Sequence, residues 1–247
     1  MKTYKSFAAH YDSLTQNVDY AALCEYYTAL ISQYGNDGNI VLDLACGTGS
    51  LSVLLAKSGY DVVGVDASGE MLALAMNKIE SFGNPIFLNQ TMQELDLFGT
   101  IDAAVCCLDS INHLKTEADV KKAVEKVSLF LNPNGLFIFD VNTLYKHREI
   151  LGNNTFVYDT DDVYCVWQNA FNEKNGQIDI SLDFFREDNN GKYTRSCENF
   201  SEYYYSDEFL MQTLEENSLK CTVKLDDFTD KPAKNDSQRV VYVCRKE

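Results

Sequence analysis

The chain has no run of basic residues, no apolar stretch long enough to span a bilayer, and no pair of cysteines at C-x-x-C spacing. Each absence removes a class of function. With a formal net charge of −16, the chain offers no clustered Lys or Arg to hold phosphate backbones or anionic lipid, so nucleic acid is not an expected partner. The start, Met1-Lys2-Thr3-Tyr4-Lys5, lacks the apolar centre of a signal peptide, which leaves a cytoplasmic location away from membranes as the expectation. The three histidines, His10, His113 and His147, lie far apart without ligand spacing, so no metal is expected. The eight cysteines are scattered, several within apolar runs as buried thiols are, and adjacent Cys106 and Cys107 read as strand residues on opposite faces. Internal repeats and low-complexity tracts are also missing.

What is there suits a folded chain. A length of 247 residues, 45% hydrophobic and 12% aromatic, is enough for one α/β domain with an insertion and argues against disorder. Residues 19–34 place Leu23, Tyr26, Tyr27, Leu30, Ile31 and Tyr34 on one helical face, ended by Gly35-Asn36-Asp37-Gly38. Ile40-Val41-Leu42 is a short apolar run suited to a strand buried on both faces. A helical pattern through Leu51, Val53, Leu54 and Leu55 follows, then a strand from Tyr60 to Asp66. Ser68 is placed to cap a helix carrying Met71, Leu72, Ala75, Met76 and Ile79. Further strands are expected over 85–89 and 101–108, a helix after the Thr116/Asp119 capping pair, a turn at Asn132-Pro133-Asn134-Gly135, and a fifth strand over 136–141. A helix over 209–219 and closing strands over 222–228 and 239–244 complete a doubly wound, Rossmann-like, mostly parallel seven-stranded sheet. Between them, Ile178, Ile180, Leu182 and Phe184 alternate with polar residues, and Asn175-Gly176 and Asn189-Asn190-Gly191 supply turns, as in an inserted antiparallel sheet. The expected division is therefore 1–142 with 207–247 for the main domain and 143–206 for an antiparallel β lid.

Asn39–Gly49 organises the rest. Between strand and helix, Ala45-Cys46-Gly47-Thr48-Gly49 is a turn of small residues that lets a ligand approach the backbone. The helix behind it directs unpaired amides and a positive dipole end at that ligand. A dinucleotide fingerprint needs a third glycine, and Ser52 stands there instead.

Asp43-x-Ala45-x-Gly47-x-Gly49 resembles the first motif of class I S-adenosylmethionine-dependent methyltransferases, with Ala45 at the first glycine position. Val62–Asp66, Thr91-Met92 and Leu108-Asp109-Ser110 are similar to that family's later motifs. Phe139-Asp140-Val141-Asn142, the inserted sheet and the opening Phe7-Ala8-x-x-Tyr11-Asp12 resemble a branch of small bacterial methyltransferases with an antiparallel lid. The resemblance implies S-adenosyl-L-methionine as cofactor and direct in-line transfer of its methyl group. Backbone donors of the turn suit the cofactor's carboxylate, while backbone carbonyls or Asp43 suit its ammonium. Asp66, at the end of the second strand, is placed to accept from both ribose hydroxyls. Met71 packs on the adenine or in the core. The family implies contacts from the Met92 backbone and near Leu108, an adenine contact at Thr91 where most relatives carry an acid, and a flap at Tyr11.

Asp109, His113 and Tyr145 are the candidates for a general base. The other reading of His113 is a helix-start histidine bonded to backbone. Tyr158, Tyr164, Trp167, Tyr203, Tyr204 and Tyr205 form either a substrate cage or the packed face of the lid. The lid and the acidic surface favour a small-molecule acceptor. The rival readings are an RNA or protein methyltransferase, an NAD(P)-dependent oxidoreductase, and a non-catalytic binder of S-adenosylmethionine.

Overall fold

The computed structural model describes residues 18–79, 85–160, 163–187 and 190–247. The expected Tyr11 flap lies outside the described residues. Helix α1 (Tyr20–Tyr34) starts where the Asp19 side chain accepts from the Ala22 amide at 3.0 Å, and its Leu23, Tyr27, Leu30 and Ile31 are buried. Strands β1 (Ile40–Leu44), β2 (Asp61–Asp66), β3 (Ile86–Asn89) and β4 (Ile101–Cys106) follow, with helices α2 (Ser50–Lys57) and α3 (Gly69–Asn77) after the first two. Helix α4 (Glu117–Phe130) precedes β5 (Leu131–Asn142). Helix α5 (Asp207–Glu216) leads to β10 (Leu219–Asp226) and β11 (Arg239–Lys246).

The main sheet has the order β10-β11-β5-β4-β1-β2-β3, parallel except for β11, which is antiparallel to both of its neighbours. The connection order reverses between β1 and β4. In such a sheet the crevice beyond the carboxyl ends of those strands is where a ligand sits. Period-two alternation splits the core between the two faces. Phe137, Phe139, Tyr242 and Cys106 pack with α4 and α5, while Leu136, Ile138, Val241 and Cys107 pack with α1 and α2. Cys106 and Cys107 therefore do face opposite ways, and all eight cysteines are free thiols.

A second sheet, antiparallel in the order β6-β7-β8-β9, lies between β5 and α5 in the chain: β6 (Thr155–Asp159), β7 (Tyr164–Asn172), β8 (Gln177–Glu187) and β9 (Tyr193–Glu202). Leu151, Val163, Cys165, Ile178, Ile180, Leu182 and Phe184 form its own core.

Several local expectations shift. Residues 132–135 do not separate helix from strand. The chain is already paired at Leu131 with Ile101, and the slack is taken up by a register shift and by Asn134 in the left-handed region (φ 62°). Strand β4 stops two residues early, because Leu108 and Asp109 are both left-handed (φ 56° and 54°). Helix α3 ends at Asn77, and Met76 faces solvent. The Thr116 cap forms as expected, its Oγ1 accepting from the Asp119 amide at 3.1 Å. No helix among the described residues is long and apolar enough to cross a membrane.

Candidate active site

The turn after β1 places every second residue in the left-handed region: Ala45 (φ 61°), Gly47 (55°) and Gly49 (71°). A Cβ on Gly49 would lie 2.8 Å from both Ala75 Cβ and Phe87 Cζ, so glycine is required there by space as well as by conformation. Ala45 bears the strain of the same conformation with its methyl group, about 1 kcal/mol. Ala45→Gly is expected to raise the thermal midpoint by about 2–4 °C, less the extra chain entropy of glycine. A melting curve showing a lower midpoint than wild type would contradict that strain.

Asp66 ties this turn to the next helix. Its Oδ2 accepts from the Gly47 amide at 2.9 Å and its Oδ1 from the Ser68 amide at 2.8 Å, while Ser68 Oγ accepts from the Met71 amide at 3.2 Å to cap α3. Burial pushes the Asp66 carboxyl up in pKa, and the Ser68 and Gly47 amides oppose the shift. Each carboxylate oxygen keeps a second acceptor direction, and the group lines the pocket.

Asp43 is placed otherwise than expected. It is fully buried beneath the turn, accepts from Ser52 Oγ at 2.5 Å, and is not on the pocket wall. Its Oδ1 has no hydrogen-bond partner among the described residues. Ser52, where a dinucleotide site would have glycine, is thus the buried partner of this acid. Burial pushes the Asp43 carboxyl up to about 7, with the Ser52 bond opposing. A raised carboxyl favours the fold while protonated, so that contribution is complete below about pH 4 and is lost as pH rises through 7. Asp43→Asn, which keeps the acceptor for Ser52, is expected to be more stable than wild type at pH 8, by roughly 4 kcal/mol at most, and by roughly 1.6 kcal/mol at most at pH 5. Denaturant melts at the two pH values check it.

A cavity of about 980 Å³ opens over this turn. Its wall brings together Ala45, Gly47, Asp66, Met71, Thr91, Met92 and Leu108 from the ends of β1 to β4, together with Asp109 and His113. Met71 is both core and wall, at 4% exposure. Tyr145 is not on the wall. Thr91 Oγ1 donates to Glu94 Oε2 at 2.9 Å, which leaves the Thr91 oxygen free to accept.

The far side of the cavity is set by a buried network that sequence reading reached only in part. Asp140 Oδ1 accepts from the Leu108 amide at 2.8 Å and from Tyr27 Oη at 3.1 Å, and Oδ2 accepts from the Asp109 amide at 2.7 Å. The acid near the end of β5 thereby pins both left-handed residues after β4. Arg239, at the start of β11, donates to Asp140 Oδ2 and, at 2.6 Å, to Asp109 Oδ1, and its guanidinium stacks 5.3 Å from the Phe228 ring centroid. Burial works against a charge on Asp109, but Arg239, Lys146 and His113 outweigh it and hold the carboxyl down to about 2. So low a value makes Asp109 a poor general base at neutral pH. Arg239 was not among the sequence candidates, since only the pairing of β11 with β5 reveals its neighbours.

The second sheet roofs the cavity. Tyr158, Trp167, Phe200 and Glu202 line it from one face of that sheet. Of the expected tyrosines, Tyr158 and Tyr203 reach the wall, while Tyr164 and Tyr204 do not and Tyr205 is buried in the main core. The His113 ring lies 5.4 Å from that of Phe200, and its Nε2 is 3.9 Å from Asp109 Oδ2. A buried asparagine helps to stitch the roof down. Asn112 Nδ2 donates to the carbonyls of Tyr203 at 2.9 Å and Asn142 at 3.3 Å, and its Oδ1 accepts from the Asn142 amide at 2.8 Å.

Comparison with known proteins now bears on this geometry. Residues 41–135 match the model of a methyltransferase domain. YqeM of Bacillus subtilis, whose name assigns it to the methyltransferases, is 34% identical over 98% of this chain and 97% of its own. An S-adenosylmethionine-dependent methyltransferase from Clostridium acetobutylicum superposes with a TM-score of 0.88 at 33% identity, covering 98% of each chain. The chain belongs to the S-adenosylmethionine-dependent methyltransferases. The oxidoreductase reading falls with that. A glycine/sarcosine N-methyltransferase from Parasynechococcus marenigrum is 31% identical over 57% of this chain and 50% of its own. The methyltransferase's own residues fit its cofactor. They supply a turn open to a ligand and a carboxylate at the end of β2 with acceptor capacity to spare, both on the cavity wall.

Proposed function

We propose that this methyltransferase acts on a small-molecule acceptor held between the cofactor turn and the underside of the second sheet. The observation that carries the reading is the single cavity of about 980 Å³ shared by both. It lies at the upper end of the range of about 300–1,000 Å³ for small-ligand sites, enough for a nucleoside-bearing cofactor and a compact acceptor. The glycine/sarcosine relative supports the same class of acceptor.

Bound S-adenosylmethionine supplies a methyl group activated by a sulfonium. The turn amides around Ala45 and Gly47 would receive its carboxylate, and Asp66 would accept from the ribose hydroxyls. Thr91, Met92, Met71 and Leu108 would surround the adenine. Asp43 acts on the turn from below through Ser52. Residues 1–142 and 207–247 form the cofactor domain in this reading, and 143–206 the lid that excludes water and selects the acceptor. The enzyme works in the cytoplasm, without nucleic acid or membrane.

Incubation with methyl-labelled cofactor and cell extract tests it. Label is expected in the low-molecular-weight fraction. Label confined to RNA or protein contradicts the reading and favours the macromolecular alternative.

A further inference from the structure

Three acceptor groups converge on the roofed side of the cavity: one carboxylate oxygen each from Asp109 and Glu202 and a ring nitrogen of His113, all within 4.8 Å of one another. They come from three places in the chain, the loop after β4, the short helix that follows it, and the last residue of β9. Asp109 Oδ1 is taken by Arg239, which leaves Oδ2 toward His113. Glu202 is buried, and its Oε2 takes both of its bonds, from Asn142 Nδ2 at 2.8 Å and with His147 Nε2 at 3.1 Å. His147, itself fully buried, is held from behind by the Gly176 carbonyl, 3.0 Å from Nδ1. Glu202 is thereby fixed in one orientation, with no hydrogen bond to its Oε1 among the described residues.

We infer that Asp109, His113 and Glu202 form an ammonium subsite, and that the methyl acceptor is a primary amine delivered there in its protonated form; this rests on the methyltransferase reading above. The chemistry of the three groups excludes simpler occupants. Ionised carboxylates accept only, and His113 in its neutral form accepts at its unprotonated nitrogen. A hydroxyl carries one proton for three acceptors, whereas an ammonium carries three. Spacing admits an ammonium without selecting it. Acceptors arranged tetrahedrally at about 2.8 Å from one nitrogen lie roughly 4.6 Å apart, whereas ligands of a small divalent metal at about 2.1 Å lie roughly 3.0–3.5 Å apart. The His113–Asp109 distance of 3.9 Å falls between the two, and all three groups lie within 4.8 Å.

Charge favours the monocation. Arg239 and Lys146 are cations near the cluster, Arg239 bonded to Asp109 and Asp140 and Lys146 to Asn142 Oδ1 at 2.8 Å. An ionised Glu202 adds His147 as a third, because Nδ1 then donates to the Gly176 carbonyl and Nε2 to the carboxylate. A dication would meet all three, while a monocation faces far less repulsion. The aromatic faces of Phe200, Trp167 and Tyr158 around the same chamber suit an organic cation. Transfer of one proton from the ammonium to the free ring nitrogen of His113 leaves the electron pair of that N–H bond on the amine nitrogen, and Asp109 Oδ2 faces the imidazolium so formed. The amine then holds two protons, leaves the three-acceptor arrangement, and turns that pair from His113 to the methyl group.

Calorimetry on the protein saturated with S-adenosylhomocysteine tests this with two probes of equal shape, benzylamine and benzyl alcohol. Wild type is expected to bind benzylamine at least tenfold more tightly. Glu202→Gln is expected to reduce that preference to about twofold, with affinity for S-adenosylhomocysteine unchanged. His113→Ala, at a half-exposed position, gives a second variant and is expected to weaken benzylamine several-fold. Equal binding of the two probes by wild type, binding of neither, or a preference that survives both substitutions overturns the inference. So does Mn²⁺ binding that is lost in Glu202→Gln while benzylamine shows no preference, since the cluster is then a metal site. Failure of S-adenosylhomocysteine itself to bind is a separate result, and it removes the cofactor reading on which the inference stands.

Discussion

Asp66→Ala lowers affinity for S-adenosylhomocysteine by about 100- to 1,000-fold, or about 3–4 kcal/mol. Two effects add. In the proposed role the carboxylate accepts from both ribose hydroxyls, and hydrogen bonds to a charged acceptor contribute roughly 1.5–3 kcal/mol each. The same two oxygens also receive the Gly47 and Ser68 amides, so their removal loosens the glycine turn and the start of α3 together. Asp66→Asn separates the two. It keeps the volume and one acceptor, but its NH₂ must face a backbone N–H, and an intermediate loss of about 10- to 50-fold is expected. Calorimetric titration with S-adenosylhomocysteine, alongside a melting curve to confirm folding, measures both. An alanine variant that binds within threefold of wild type removes Asp66 from the cofactor site.

Arg239→Leu is the substitution expected to harm the fold most. It leaves the carboxylates of Asp140 and Asp109 buried without their cation, a loss of about 3–5 kcal/mol where a buried pair is broken on one side. Against a typical total of about 5–15 kcal/mol that is severe. The midpoint should fall by about 6–20 °C. The pH dependence gives a second reading. In wild type the carboxyl of Asp109, held down to about 2, contributes stability that is complete above about pH 4 and is lost as pH falls through 2. Without Arg239 the same buried carboxyl favours its protonated form, and the variant gains relative stability as pH falls. The gap between variant and wild type therefore narrows from pH 7 to pH 4. A midpoint unchanged at pH 7 contradicts the role given to this arginine.

Much of the main sheet was legible because each of its strands carries its own signal. Ile40–Leu42 and 103–108 are unbroken apolar runs, and the Ser68 and Thr116 caps stand one residue before their helices. The turn of small residues after β1 pointed to a ligand through local chemistry alone. What escaped depends on contacts between distant segments. Arg239 meets Asp140 and Asp109 across 99 and 130 residues, and nothing beside it in the sequence marks it as more than a strand residue. Asp109 was legible as an acid near a strand end, but its low carboxyl pKa follows from that arginine, so its candidacy as a base could be judged only in three dimensions. Glu202 left a fainter trace. It pairs with Ile178 at the end of β9, on the face where Ile178, Ile180 and Leu182 alternate, and so breaks the apolar pattern of that face. Asp43 was legible as an acid of the first motif, but its buried bond to Ser52, nine residues on, was not.

The clamp at Asn112 reaches beyond the role of any single residue. Because one side chain grips both the strand that leaves the parent sheet and the segment that returns to it, the two ends of the insertion are held at neighbouring points whatever their lengths. A roof of different size or curvature could be spliced at this junction without disturbing the register of the sheet beneath. The methyl-donor half of such a protein is therefore a socket, and diversification toward new acceptors needs only a change of fitting.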